Sequence, residues 1–287
     1  MLAVLQREVK SYFTGMTGYL ICAFLLLFIG LYCAAWNFLA LLPNFEYALQ
    51  SMTYVFMIII PVLTMRVIAE ERRQKTDQLL YSLPLSATDI VMGKYFAMLI
   101  VLLIPLAVCS LYPLLLTLYG AVYLPTAYSA IVGFFFLGAA LVSIGMFVSS
   151  VTENQSIAAV LCFVVMLLAF FMSSLSSLVP TTASSSFFAL SFLSFALSIA
   201  LLLLTQNGVL ALLVFIVLEG GLTALLMFAP ALLEGRFGQL MRALSFFDRF
   251  DIFIQGMFDV TAIVYYLAVS VIFVFLTIQS LEKRRWG

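Results

Sequence analysis

From Tyr95 to Thr152 the sequence carries no charged residue, and from Asn154 to Leu218 it again carries none. Runs of this kind leave little choice of solvent. A soluble domain has about 25% charged residues, whereas this chain of 287 residues has 9%, with 65% hydrophobic. Apolar runs of roughly 20 residues, enough for a helix to cross a ~30 Å hydrocarbon core, recur along it. The chain reads as an all-α, polytopic integral membrane protein. Its formal net charge is zero, so no overall field draws nucleic acid or acidic substrates. It has no His, which removes the commonest metal ligand and the commonest general base near neutral pH. Cys22, Cys33, Cys109 and Cys162 fall in apolar runs without metal-ligand spacing and read as small buried hydrophobes; no metal site is expected.

Residues 1–18 precede the first span. Leu2, Leu5, Val9, Tyr12, Phe13 and Met16 recur at helical spacing, with Arg7, Glu8 and Lys10 elsewhere on the wheel. This predicts an amphipathic helix in the headgroup layer. The charged start and long apolar run do not read as a cleavable signal peptide. Residues 19–287 form the transmembrane domain. Its predicted spans are Tyr19–Leu42, with Trp36 as an interface aromatic, Gln50–Ile68, kinked at Pro61, Tyr95–Tyr119, Ala127–Ser149, Ile157–Val179 and Thr261–Ser280. Gly138, Leu141, Val142 and Gly145 share one face of the fourth, where a helix can approach closely. After a polar loop, Pro180–Ser186, two further apolar runs turn at Asn207-Gly208 and make a hydrophobic hairpin over residues 187–229.

Arg7 and Lys10 place the N-terminus in the cytoplasm, and Lys283, Arg284 and Arg285 place the C-terminus there. The number of spans is then even: eight if the hairpin crosses, six if it is re-entrant. The length of both halves favours about eight.

The polar stretch Arg66–Lys94 interrupts this pattern. Residues 69–94 read as a cytoplasmic coupling loop. Thr76–Leu83 predicts a short helix with Leu79, Leu80 and Leu83 on one side, stopped by Pro84. Ser86, with Asp89 three positions on, caps the next helix. Leucines exposed there fit a partner's groove; alternatively they lie in lipid. Residues 234–259 form a second amphipathic segment, expected to lie flat on the outer leaflet as an external gate, with Phe247, Phe250, Phe253 and Ile254 as its candidates. Glu219 is the one acid deep in an expected span, either a substrate contact or a structural hydrogen-bonding group.

The run Glu70-Glu71-Arg72-Arg73, Thr76, Leu79-Leu80, Leu83-Pro84-Leu85-Ser86, Ile90-Val91 and Gly93-Lys94 resembles the first cytoplasmic loop of ABC-2 type exporter permeases, in particular the gliding-motility-type branch. Lys75 stands where that branch usually has Gly, and Gln78 where it usually has Glu. Thr152-Glu153-Asn154-Gln155 resembles the second cytoplasmic loop, and Leu244–Phe250, Gly256, Asp259, Val264-Tyr265-Tyr266 and the terminal Ser280-Leu281-Glu282 with Arg284-Arg285-Trp286 resemble the C-terminal end. The resemblance implies a six-span plan to which the hairpin is an addition. It also implies a permease subunit of an ATP-binding-cassette exporter in the bacterial inner membrane, itself no enzyme. A separate ABC ATPase (nucleotide-binding) subunit would hold ATP and Mg and hydrolyse the nucleotide. It would dock on Glu70, Glu71, Thr76, Leu79, Leu80, Leu83, Pro84, Gly93, Lys94 and Thr152, Glu153, Asn154, Gln155. A second permease copy or related chain would complete the route through the lipid. Consistently, the sequence has no G-x-x-x-x-G-K-[ST] phosphate loop. A self-sufficient secondary transporter or channel would call for several intramembrane charges and broken helices, and only Glu219 answers. A membrane-embedded enzyme would lack catalysts: there is no His, acid pair or Cys constellation at the membrane face.

Overall fold

A backbone in lipid can satisfy its polar groups only as a helix or a closed barrel, and this chain takes the helix. The structure is a computed structural model that describes residues 1–75, 86–205 and 207–286, without the side chains of 200, 203–205, 285 and 286. Among the described residues every regular element is helical. We number them α1 (Leu2–Thr14), α2 (Met16–Cys33, continued by a wider π-turn over Ala34–Leu39), α3 (Glu46–Thr64), α4 (Ala69–Arg73), α5 (Ala87–Cys109), α6 (Leu111–Leu116) and α7 (Leu124–Val151). There follow α8 (Gln155–Leu178), α9 (Ala183–Thr205), α10 (Gly208–Phe228), α11 (Arg236–Ala243), α12 (Phe246–Ile254) and α13 (Val260–Trp286). Among the described residues seven helices are long and apolar enough to cross a membrane, and α9 adds a shorter apolar stretch, Ala183–Ile199. The chain divides into two compact units, Met1–Leu168 with Phe246–Gly287, and Ala169–Ser245.

The larger unit is built around α7, which packs against α3, α5, α12 and α13. Glycines make this possible. A Cβ added at Gly145 would lie 2.4 Å from Thr64 Oγ1 and 2.9 Å from Thr64 Cβ; one at Gly138 would lie 2.6 Å from Leu102. Gly133, outside the face expected from the sequence, does the same for Phe253, at 2.7 Å. Aromatic rings fill the space beside them: Phe56 stacks on Phe134 at 4.2 Å, and Phe134 meets Phe250 at 5.7 Å. Because the whole Thr64 side chain blocks its site, Gly145→Ala is expected to destabilise by about 1–3 kcal/mol. Thermal unfolding in detergent should show this. Gly220→Ala, inside α10 where an added Cβ meets nothing within 4 Å, should not lower the midpoint.

Several boundaries differ from the sequence expectation, each for a local reason. The third span begins at Ala87 rather than Tyr95, because Ser86 caps it through its Oγ, which accepts from the Asp89 N–H at 3.1 Å. The helix that Ser86 caps is therefore the first turns of the span itself, one continuous helix from Ala87 to Cys109. The polar loop Pro180–Ser186 is shorter than expected. Thr182 Oγ1 accepts from the Ser185 N–H at 3.4 Å, so hydroxyl residues that read as loop instead start α9. The second span starts at Glu46 rather than Gln50, and its helix α3, with Pro61 inside it, turns after Thr64 rather than at Ile68. In the smaller unit α9 packs against α10, and Asn207 Oδ1 caps α10 by accepting from the Leu210 N–H at 3.2 Å.

Candidate functional site

An ammonium group buried in protein must use all its donors. Lys94, 2% exposed, sits in the second turn of α5 and does so. Its Nζ donates to Glu71 at 2.7 Å, to the Val67 carbonyl at 3.0 Å and to Glu8 at 3.2 Å. Arg7 closes the cluster, donating to Glu8 at 2.6 Å and Glu71 at 3.2 Å. Burial pushes the Glu8 carboxyl up, but the charges of Lys94 and Arg7 outweigh it and hold the group below its ordinary value. Its stabilisation is thus present above the ordinary carboxylate range and is lost as the pH falls through the lowered value. Beside the cluster, Gly93 leaves room for Val4: a Cβ there would lie 2.9 Å from Val4 Cγ1. These contacts dock α1 onto the start of α5.

A second knot holds the end of α7. The last carbonyls of a helix lack partners within it and carry partial negative charge. The buried Arg72 guanidinium donates to the carbonyl of Ser150, and the Ser280 hydroxyl donates to the same oxygen at 3.3 Å. The neighbouring Ser149 Oγ accepts from the N–H groups of Ala69, at 3.1 Å, and Ile68, at 3.3 Å, which begin α4. Beyond α7, Arg284 of α13 pairs with Glu153 at 2.8 Å. Both groups are exposed, so this pair contributes little alone. Together the bonds bring α1, α4, the start of α5, the turn Thr152–Gln155 and the end of α13 to one end of the larger unit.

The expected docking residues divide on this surface. Glu153 and Asn154 are exposed, Thr152, Gln155 and Glu70 half-buried, and Glu70 accepts from Gln74 at 3.2 Å. Gly93 and Lys94 face inward, where they hold α1 instead of meeting solvent; Glu71 turns to the same cluster. Thr76, Leu79, Leu80, Leu83 and Pro84, with the expected helix Thr76–Leu83, lie outside the described residues. Sequence reasoning gave no packing role to Arg7, Glu8, Arg72, Ser149, Ser150 or Ser280. Arg72 carried a signal, as the cation directly after the paired acids Glu70-Glu71, and Ser280 as part of the C-terminal resemblance.

The gate candidates are also placed differently. Phe247, Phe250 and Phe253 of α12 are buried in the larger unit, and Ile254 is half-buried. The aromatic stripe of α12 thus faces protein, packed against α7. Gln50 of α3 donates to Asp251 at 3.0 Å, fastening α12. Burial pushes the Asp251 carboxyl up, and the Gln50 bond only partly opposes it. In the smaller unit, Glu219 accepts from the hydroxyls of Ser191 at 2.6 Å and Ser194 at 2.7 Å. A charged side chain at a helix centre costs about 2.5–3.5 kcal/mol on insertion scales, and these hydroxyls offset part of that.

A family model described as ABC-2 family transporter protein matches residues 10–206. The match covers most of the chain, which therefore belongs to this family and is a multi-pass membrane permease of the ABC transporter class. No curated protein and no solved structure matches it. The family match includes α2 to α9 and ends before α10.

Proposed function

We propose that this chain is the permease subunit of an exporter of the gliding-motility-type branch, in a bacterial plasma membrane. A separate ABC ATPase, holding ATP and Mg, would drive it. The observation that carries this is the gathering of the two loops and the end of α13 at one end of the larger unit, bound by Lys94, Arg72 and Arg284. That end holds Arg7, Arg66, Arg72, Arg73, Lys94 and Arg284, in keeping with a cytoplasmic face. Packed helices move as stiff bodies. A push on residues 76–85 or on Thr152–Gln155 would therefore reach α3, α5 and α7 together. At the other end α12, with Phe250 and Phe253 wedged against α7, would serve as the external gate. A second permease copy, or a related chain, would complete the route.

The test is co-purification of the ATPase with the full chain. Leu80→Asp places a charge where an apolar contact is expected and should weaken retention about tenfold, equivalent to ~1.4 kcal/mol. Retention and nucleotide turnover equal to wild type would reject residues 76–85 as the docking element.

A further inference from the structure

We infer that the α9–α10 hairpin carries a binding site for an amphiphilic cation, an ammonium or guanidinium group on an apolar body, centred on Glu219. Ser191 and Ser194 lie one turn apart on α9, and both reach the same oxygen of Glu219, Oε1, at 2.6 and 2.7 Å. Ser194 Oγ is also 2.8 Å from the Ser191 carbonyl, so its one proton is shared between two acceptors. The carboxylate is therefore held by one oxygen on the α9 side. On the other side the surface is open. Gly220 and Gly221 follow Glu219, and a Cβ added at either would meet nothing within 4 Å. Ile216, one turn earlier on α10, is 55% exposed and offers apolar surface beside the acid.

Charge decides the occupant. The sequence has no Lys or Arg between Lys94 and Arg236, so the hairpin supplies no counter-charge of its own. Glu219 lies about 16 Å along α10 from Gly208, at 1.5 Å per residue. That is beyond the reach of lipid headgroups from the end of a spanning helix. A cation arriving there must be carried on an apolar body, and one with N–H donors can also use the Ser191 and Ser194 oxygens. The inference rests on reading α10 as a membrane span and goes beyond transport by an unspecified cargo. It does not depend on the ATPase partner.

The experiment uses the purified full chain in phosphatidylcholine nanodiscs. The probes are a dodecylammonium labelled with dansyl at its far end and the uncharged dansyl-dodecanol of equal length. Fluorescence anisotropy titrations should give at least about tenfold tighter binding of the ammonium. Glu219→Gln should abolish that preference, and Ser191→Ala with Ser194→Ala should reduce it severalfold. The proposal is overturned by no preference in the wild type, which is also the outcome if a basic residue of a neighbouring membrane chain fills the site. An undiminished preference in Glu219→Gln overturns it too. If Glu219→Gln does not assemble, the serine double variant decides, and unchanged binding there overturns the proposal. Retained ATPase co-purification alongside any of these failures would leave the transporter assignment standing.

Discussion

Lys94→Met is expected to destabilise the larger unit by about 3–5 kcal/mol, the usual cost of removing one partner from a buried ion pair. The substitution leaves Glu8 and Glu71 facing each other with no ammonium between them, and leaves the Val67 carbonyl without this donor. The element that should come loose is α1, which contributes Glu8 and Val4 to the junction. Two measurements check this: a lowered melting midpoint in detergent, and faster tryptic cleavage after Lys10. The triple variant Lys94→Met, Glu8→Gln, Glu71→Gln separates charge from packing. With no charge left among these three side chains, most of the stability should return. A midpoint for Lys94→Met equal to wild type would mean that the cluster does not hold α1.

Phe250→Ala should cost a similar amount, about 3–5 kcal/mol. Its ring is fully buried, in contact with Phe134, which itself stacks on Phe56. Truncation leaves a cavity among α3, α7 and α12 that these helices cannot easily close. Phe250→Leu keeps most of the volume and should cost less than about 1.5 kcal/mol. The contrast distinguishes two placements of α12. A segment lying on the membrane surface would keep its rings in lipid, and neither substitution would then lower the melting midpoint appreciably. If α12 is the external gate, Phe250→Ala should also raise leak through the assembled transporter, measured as nucleotide-independent release of cargo.

The amphipathic pattern of residues 234–259 was legible, but the medium it faces was not. Periodicity shows that one side of a helix is apolar, and both lipid and protein are apolar. Gly133 settles the matter for α12, because it leaves space on α7 for the Phe253 ring. The same limit applies to Gly93-Lys94. As a motif the pair resembles a docking loop, yet its side-chain surroundings depend on Glu8, 86 residues from Lys94, and on Glu71. Glu219 was more legible, since an isolated acid in a long apolar run must find donors. Which donors, Ser191 and Ser194, depended on the register of the hairpin.

By itself the sequence determined that this chain is a set of apolar membrane helices with its charge concentrated in a few segments. Hydrocarbon admits little else, and twenty-residue apolar runs are a local property that no distant contact changes. Only the tertiary structure decided which charges are buried and which are offered to a partner. It turned Lys94 and Glu71 inward, left Glu153 and Asn154 outside, and set Arg72 on the end of α7. Those pairings join residues far apart in the chain. They arise from where helix ends meet after packing, and no spacing along the sequence records that.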